Sequence, residues 1–280
     1  MKQILLFILF SKVLIIKWKD TEFYNEAIRG FIENYEGVYE VYDSKESKEE
    51  FLKAINKKDY EIIALVGEKS LKTALDLDID KPIIFFMVYN PKIIIKDKEN
   101  IKGVSLNISY DVQFQKIKEI FHDKKIGIFY SEDKVVEGVE EAASKHGISI
   151  KLIKVQKKEK IIDVLIELKR ETQIILVPPD PILSSPEIMS MIVSFGIENK
   201  ICLFVPSDKL VKAGAAFGLV PDYYENGKIA ANLVKDILAG KKTKSFYEMP
   251  NAKLYINSNT LKELKINLPQ EILKKASGAF

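Results

Sequence analysis

Histidine and cysteine, the side chains most used in nucleophilic and transition-metal chemistry, are scarce in this chain. Its 280 residues hold two histidines, His122 and His146, and one cysteine, Cys202. His122 in FHDKK and His146 in KHG each close a helical pattern, where an imidazole can meet the last free carbonyls. Two histidines so placed support neither Ser-His-Asp catalysis nor a histidine-ligated metal. Cys202 lies inside the apolar run ICLFV and reads as a buried structural thiol. One cysteine allows no intramolecular disulfide. No GxGxxG follows the first strand-like run, where the loop is WKDT, and no GxxxxGK[ST] occurs. VGEKS is not the GxSxG of a nucleophile elbow. The reading is therefore a protein without catalytic residues, metal or cofactor.

What remains is a set of polar, charged and aromatic groups in loops that follow apolar runs. Trp18 and Asp20 stand in WKDT, Lys69 and Ser70 in GEKS, Tyr89 and Asn90 in YNP. Tyr130 and Ser131 stand in YSE, Asp180 in VPPDP and Ser207 in VPSD. These, with Phe217 of the run AAFGLV, are the candidate ligand-binding residues. Trp18 is either core filler or the aromatic wall of a site. Asp180 is either an Asx-type turn residue or a carboxylate for a ligand ammonium, on a backbone stiffened by prolines. Lys69 and Ser70 open a helical pattern, where backbone N–H groups favour a carboxylate; Ser70 as a plain N-cap is the alternative. Ser207 carries the same ambiguity.

The elements that must position these loops alternate along the chain. Strand-like runs cover 13–18, 38–43, 62–67, 82–89, 101–106, 125–130, 148–155, 173–178, 201–206, 215–220 and 254–257. Helical stretches lie between them, among them 21–35, 110–121, 132–146, 185–198 and the long 222–239. The apolar stripe of 21–35 (Phe23, Ala27, Ile28, Phe31) follows Thr21, a plausible N-cap. PIIFFMVY at 82–89 is apolar throughout, as in a parallel sheet covered on both faces. Such alternation specifies βαβ units. The pattern starts afresh near 110, so the fold class is α/β with two doubly wound parallel-sheet lobes. Ligands in such sheets bind beyond the carboxyl ends of the strands, where the loops above lie.

Composition agrees with a globular protein: 47% hydrophobic and 30% charged residues, with net charge +3 from 43 basic and 40 acidic side chains. Lys-rich stretches such as KVQKKEK are interleaved with Glu and read as solvated helix faces. A nucleic-acid partner would need a clustered basic excess.

The segments VPPDPILSSPEIMSMIVSF, FVPSDKLVKAGAAFGLVPDYYENGKIAANLVKDILAGKK and LYINSNTLKELKINLPQEILKKA resemble the substrate-binding proteins of ABC transporters, of the tryptophan/tyrosine type. GVSLNISYDVQFQKIKEIF followed by KIGIFY is also similar, and the likeness spans about residues 12–276. The resemblance implies a type I periplasmic binding protein fold, two lobes joined by a hinge of three crossovers. It places an N-terminal lobe at 12–106 with 221–248 and a C-terminal lobe at 107–220 with 249–280. It implies capture of a small solute, such as an aromatic amino acid, in the interlobe cleft. The implied partner is a membrane permease, with a periplasmic or extracytoplasmic location and a monomeric state. Gly67-Glu68-Lys69-Ser70 and Tyr89-Asn90-Pro91 depart from the family's small-residue turns, and Lys69 would suit a ligand of extra negative charge. The alternative is a ligand-sensing domain reporting to a membrane receptor or kinase; an enzyme on this scaffold ranks below it.

Residues 1–11 of MKQILLFILFSK form a possible signal-like leader: one Lys, then seven apolar residues, at the short limit of an h-region and with no small-x-small cleavage site. No apolar run reaches the length of a spanning helix.

Overall fold

The computed structural model describes residues 11–56, 59–77, 79–95, 98–183 and 185–280. The leader-like stretch lies outside them except for Ser11, whose carbonyl accepts from the Tyr35 hydroxyl at 2.9 Å. In chain order the first elements are β1 (Lys12–Lys17), α1 (Glu22–Ile32), β2 (Val38–Asp43), α2 (Lys48–Ile55), β3 (Ile62–Val66), α3 (Glu68–Asp76), β4 (Ile83–Val88), α4 (Pro91–Ile94) and β5 (Ile101–Ile108). Then come α5 (Tyr110–Ile120), β6 (Ile126–Tyr130), α6 (Val139–His146), β7 (Ile150–Lys154), α7 (Ile161–Glu171), β8 (Ile174–Leu176), α8 (Pro186–Glu198), β9 (Cys202–Val205), α9 (Asp208–Lys212) and β10 (Phe217–Val220). The chain ends with α10 (Tyr223–Leu238), β11 (Phe246–Met249), β12 (Lys253–Ile256), α11 (Ser258–Glu263), α12 (Gln270–Lys275) and β13 (Gly278–Ala279).

These elements form two compact units. The first runs to Asn107 and takes in Asp222–Met249; the second comprises Ile108–Pro221 and Pro250–Phe280. The first unit's sheet has the order β11-β5-β4-β3-β1-β2, and the second unit's the order β13-β12-β10-β9-β8-β6-β7. Strands β1 to β5 pair in parallel, as do β6 to β10. The β10–β12 ladder is antiparallel, a mixed edge of a kind common in large doubly wound sheets. Strand order reverses between β1 and β3 in one sheet and between β6 and β8 in the other. In open α/β sheets such reversals are where ligand crevices generally form, at the carboxyl edge.

Local sequence accounts for most element boundaries. Thr21, Ser47, Ser109, Ser185 and Asp222 each cap a helix by accepting a backbone N–H with the side chain. The stretch 132–146 reads as one helix in sequence but divides. A 3-10 turn at Asp133–Val136 stops at Gly138, whose φ of +76° is left-handed, and α6 starts after it. Glycine enters that region freely, so the break needs no tertiary cause. The short elements α4, β11 and β13 have no periodic signal of their own.

Each unit has its own core. In the first, Leu14, Ile16, Phe51, Leu65, Phe85 and Val88 are fully buried together; in the second, Phe129, Leu165, Ile175, Ile192, Leu203 and Val211 are. The returning helix α10 is bound to α1 by contact of the backbones themselves. A Cβ on Gly30 would stand 2.0 Å from the Tyr224 carbonyl oxygen, and one on Gly227 would stand 1.8 Å from that of Ala27. Phe23 meets Tyr223 edge-on at 5.2 Å, and the Arg29 guanidinium lies over the Tyr224 ring.

Candidate functional site

In the first unit the candidate residues gather at the carboxyl ends of β1, β3 and β4, which are neighbouring strands. Trp18 leaves β1 with its carbonyl accepting from Ser44 Oγ at 3.1 Å and the Glu46 N–H at 2.7 Å. Its ring is half-buried against Phe51, at 6.3 Å between centroids. The Lys69 ammonium lies 5.3 Å from the centroid of the same ring. The switch point between β1 and β3 is thus occupied by an indole with a cation on its face. Asp20 is exposed, and its carboxylate accepts from Lys17 at 2.5 Å and Asn25 at 2.7 Å. The Lys17 hydrogen bond holds it below the usual carboxylate range.

Helix α3 begins at Glu68, so Ser70 is not its cap. The cap is Gly67, at φ +86°, and it supplies no side-chain hydrogen bond to the first turn. A Cβ there would come within 2.1 Å of the Tyr24 hydroxyl. The Ser70 hydroxyl is fully buried and has no hydrogen-bond partner among the described residues. Lys69 is exposed at the helix start. Uncapped N–H groups and an ammonium in one turn are suited to an oxyanion, whereas Ser70 is enclosed beneath them.

Strand β4 is irregular where it delivers Tyr89 and Asn90. The β4–β5 register shifts between Phe85 and Val88, and Met87 takes φ +61°. A non-glycine residue held there costs about 1–3 kcal/mol. The bulge is secured by buried Asn226, whose side-chain oxygen accepts the Met87 N–H at 2.8 Å. Asn90, itself left-handed at φ +47°, is paired with Asn107 in both directions, at 3.0 and 2.7 Å. Tyr89 is half-buried, and burial together with the neighbouring Tyr223 raises its phenol far above the ordinary value.

In the second unit Tyr130 and Ser131 end β6, and Asp180 follows β8, across the other switch point. The Asp180 carboxylate is 1% exposed. It accepts from the Ser131 N–H and the Ser131 hydroxyl, both at 2.7 Å, and from the Ile182 N–H at 2.9 Å. The last of these is the Asx turn, and the first two clamp the loops of β6 and β8 together. Tyr130 and Ser207 are half-buried; Ser207 precedes α9 without a side-chain capping bond. Phe217 is corrected to a core residue. It is fully buried, stacked on Phe204 at 4.6 Å and met edge-on by Phe121. Asn226, Asn107 and Met87 carry little sign in the sequence beyond an isolated asparagine inside an amphipathic helix.

Among the described residues no three His, Cys, Asp or Glu side chains form a group that could hold a metal. His146 bonds Asp111 at 2.9 Å, and His122 is exposed beyond the end of α5. Cys202 is buried, and burial pushes its thiol up, the setting of a structural thiol.

In each unit, strand-end loops bring polar and aromatic side chains to one edge of the sheet. A family model described as ABC transporter substrate binding protein matches residues 31–279. The chain belongs to that family. Among solved structures, the ligand-free, open form of a substrate-binding protein with adhesive properties from Clostridium difficile is similar: TM-score 0.70, 18% identity, 96% of this chain and 98% of that one. An ABC domain in complex with L-Trp from Streptococcus pneumonia matches with TM-score 0.65, 18% identity, 97% of this chain and 100% of that one. A periplasmic ribose ABC transporter structure from Conexibacter woesei matches with TM-score 0.53, 14% identity, 94% of this chain and 97% of that one. No curated protein sequence matches the chain.

This substrate-binding protein therefore has the type I periplasmic binding fold expected from its sequence, with two α/β lobes. Its family binds small solutes for ABC transporters outside the cytoplasm. No helix among the described residues is long and apolar enough to cross a membrane.

Proposed function

We propose that this protein captures a small solute bearing a carboxylate, an amino acid being the first class to test, and presents it to an ABC permease without chemical change. The observation that carries the reading is the turn Gly67-Glu68-Lys69-Ser70 beside Trp18. An uncapped helix start and a Lys69 ammonium favour an oxyanion. The Trp18 ring beside them offers an apolar face for the ligand body. Tyr89 and Asn90, at the end of β4 in the same unit, stand at the same sheet edge. The neighbour that holds L-Trp supports an aromatic amino acid. Lys69 supports an acidic one.

The test is thermal-shift screening of the purified protein against L-tryptophan, L-tyrosine, L-glutamate and L-aspartate, with ribose as the uncharged comparison. A ligand at a hundred times its Kd stabilises the folded state by about 2.7 kcal/mol. Stabilisation by a carboxylate-bearing amino acid, weakened in Lys69→Met, is the expected result. A response to ribose alone, or equal binding by Lys69→Met, would overturn the carboxylate reading.

A further inference from the structure

Within the first unit, chain next to each of the three passages between the units comes together at one buried side chain. The passages fall at 107/108, 221/222 and 249/250. Asn226 stands one turn into α10, just after the second, and is fully buried. Its amide donates to the Ser105 carbonyl at 3.0 Å, just before the first, and to Met249 Sδ at 3.2 Å, the last residue before the third. Its oxygen accepts from Met87. Ser105 continues the chain of contacts: its hydroxyl accepts from the Asn107 N–H at 2.9 Å. Asn107 in turn exchanges two hydrogen bonds with Asn90.

We propose that Asn226 is a positioning residue for the loop 87–90, holding the Met87 bulge directly and Asn90 through Ser105 and Asn107, so that this loop and the three connecting segments shift together. That the loop touches ligand rests on the function proposed above; the coupling itself does not. The physical reason is satisfaction of buried groups. Met87 is bent out of the β4–β5 ladder, and its N–H has the Asn226 oxygen as acceptor. Without it the bulge has no reason to keep φ positive. Asn90 is likewise left-handed and is held by a partner that leads directly into the first connecting segment. A change in the loop's geometry must then be felt at Asn107, and movement of the connecting segments must be felt at Asn90.

Amide hydrogen exchange resolved by residue, on the ligand-free protein, tests this without knowledge of the ligand. Asn226→Ala is expected to speed exchange at Met87 roughly tenfold or more, the factor for a buried donor left unpaired. Exchange at Asn90 and Asn107 should rise with it, while Ile15 and Leu65 in the β1–β3 ladder stay at the wild-type rate. Asn107→Ala, at a half-buried position less critical for folding, should speed Asn90 and leave Met87 unchanged. A rise confined to Met87, or an equal rise throughout the first unit, would overturn the proposal, as would normal exchange at Asn90 in Asn107→Ala. Should Asn226→Ala not fold, the Asn107→Ala result decides. A failed ligand screen with these exchange patterns intact would remove the ligand reading and leave the coupling.

Discussion

The Lys69 ammonium lies 5.3 Å from the centroid of the Trp18 ring, across the strand-order reversal between β1 and β3. This contact joins the chain's only tryptophan to a cation at the start of α3. Trp18 emission therefore reports directly on the candidate site. Lys69→Met is expected to shift that emission and to weaken binding of a carboxylate-bearing amino acid about tenfold, the size of a charge-assisted hydrogen bond. Fluorescence titration of both proteins with L-glutamate and L-tryptophan measures it. An unchanged spectrum in Lys69→Met would show that the two side chains do not meet in solution.

Trp18→Ala removes a half-buried ring that packs on Phe51. It is expected to cost about 1–3 kcal/mol, below the loss for a fully buried aromatic, and to leave a folded protein with weakened binding. Urea unfolding gives the first quantity and calorimetric titration the second. A folded variant with wild-type affinity would place the ligand elsewhere.

Asp180→Ala should act as a stability variant. It strips the acceptor from two Ser131 groups and from Ile182, and burial leaves little water to replace them. A loss of about 2–4 kcal/mol is expected in the second unit's unfolding. Ser131→Ala, which removes one hydroxyl and keeps the backbone donor, should cost about 1 kcal/mol. Equal losses in the two variants would contradict a carboxylate that serves three donors.

Gly30→Ala and Gly227→Ala test the α1–α10 contact. Each methyl would meet a carbonyl oxygen at about the distance of a covalent clash. Each substitution should lower stability by about 3 kcal/mol or prevent folding. Gly240→Ala, at an open position with φ +70°, should cost only about 1 kcal/mol. Thermal unfolding of the three separates steric from conformational effects.

Asp111 accepts from Lys145 at 2.7 Å and His146 at 2.9 Å, and those bonds lower its pKa from the ordinary 3.8. A carboxylate with a depressed folded value contributes stability above its unfolded value and loses it as pH falls through the folded one. The unfolding midpoint should therefore decline as the medium is acidified below about pH 4. Asp111→Asn should flatten that decline while leaving the curve above it parallel to wild type. Identical slopes in both proteins would show that the cluster is not formed in solution.

Much of the architecture was legible along the chain because it is written in local terms. VLIIK and PIIFFMV are apolar on both faces, as strands buried on both sides must be. Thr21, Ser47 and Ser109 carry the oxygen that a helix start needs. The alternation restarting near 110 announced a second sheet. The loops of the first unit's site follow from the same rule, since a parallel strand delivers its next residues to one edge. The resemblance to substrate-binding proteins in the C-terminal half pointed to the same fold.

The remainder depends on which side chains meet, and one-dimensional periodicity carries no such information. Phe217 and Trp18 are both aromatic residues at strand ends, yet one is locked between Phe204 and Phe121 while the other keeps a face at the sheet edge. Asp180 could have been a free carboxylate; the approach of Ser131 from another strand turned it into a clamp. Asn226 reads as a polar interruption of a helix and is a buried junction, because residues 87, 105 and 249 converge on it only when the sheet is assembled. Sequence alone determined the strands, the caps and the edge where loops collect, since each follows from neighbouring residues. Tertiary structure alone decided which of those loop residues remain available to a ligand, since a hydrogen-bonding group is committed or free according to partners distant in the chain.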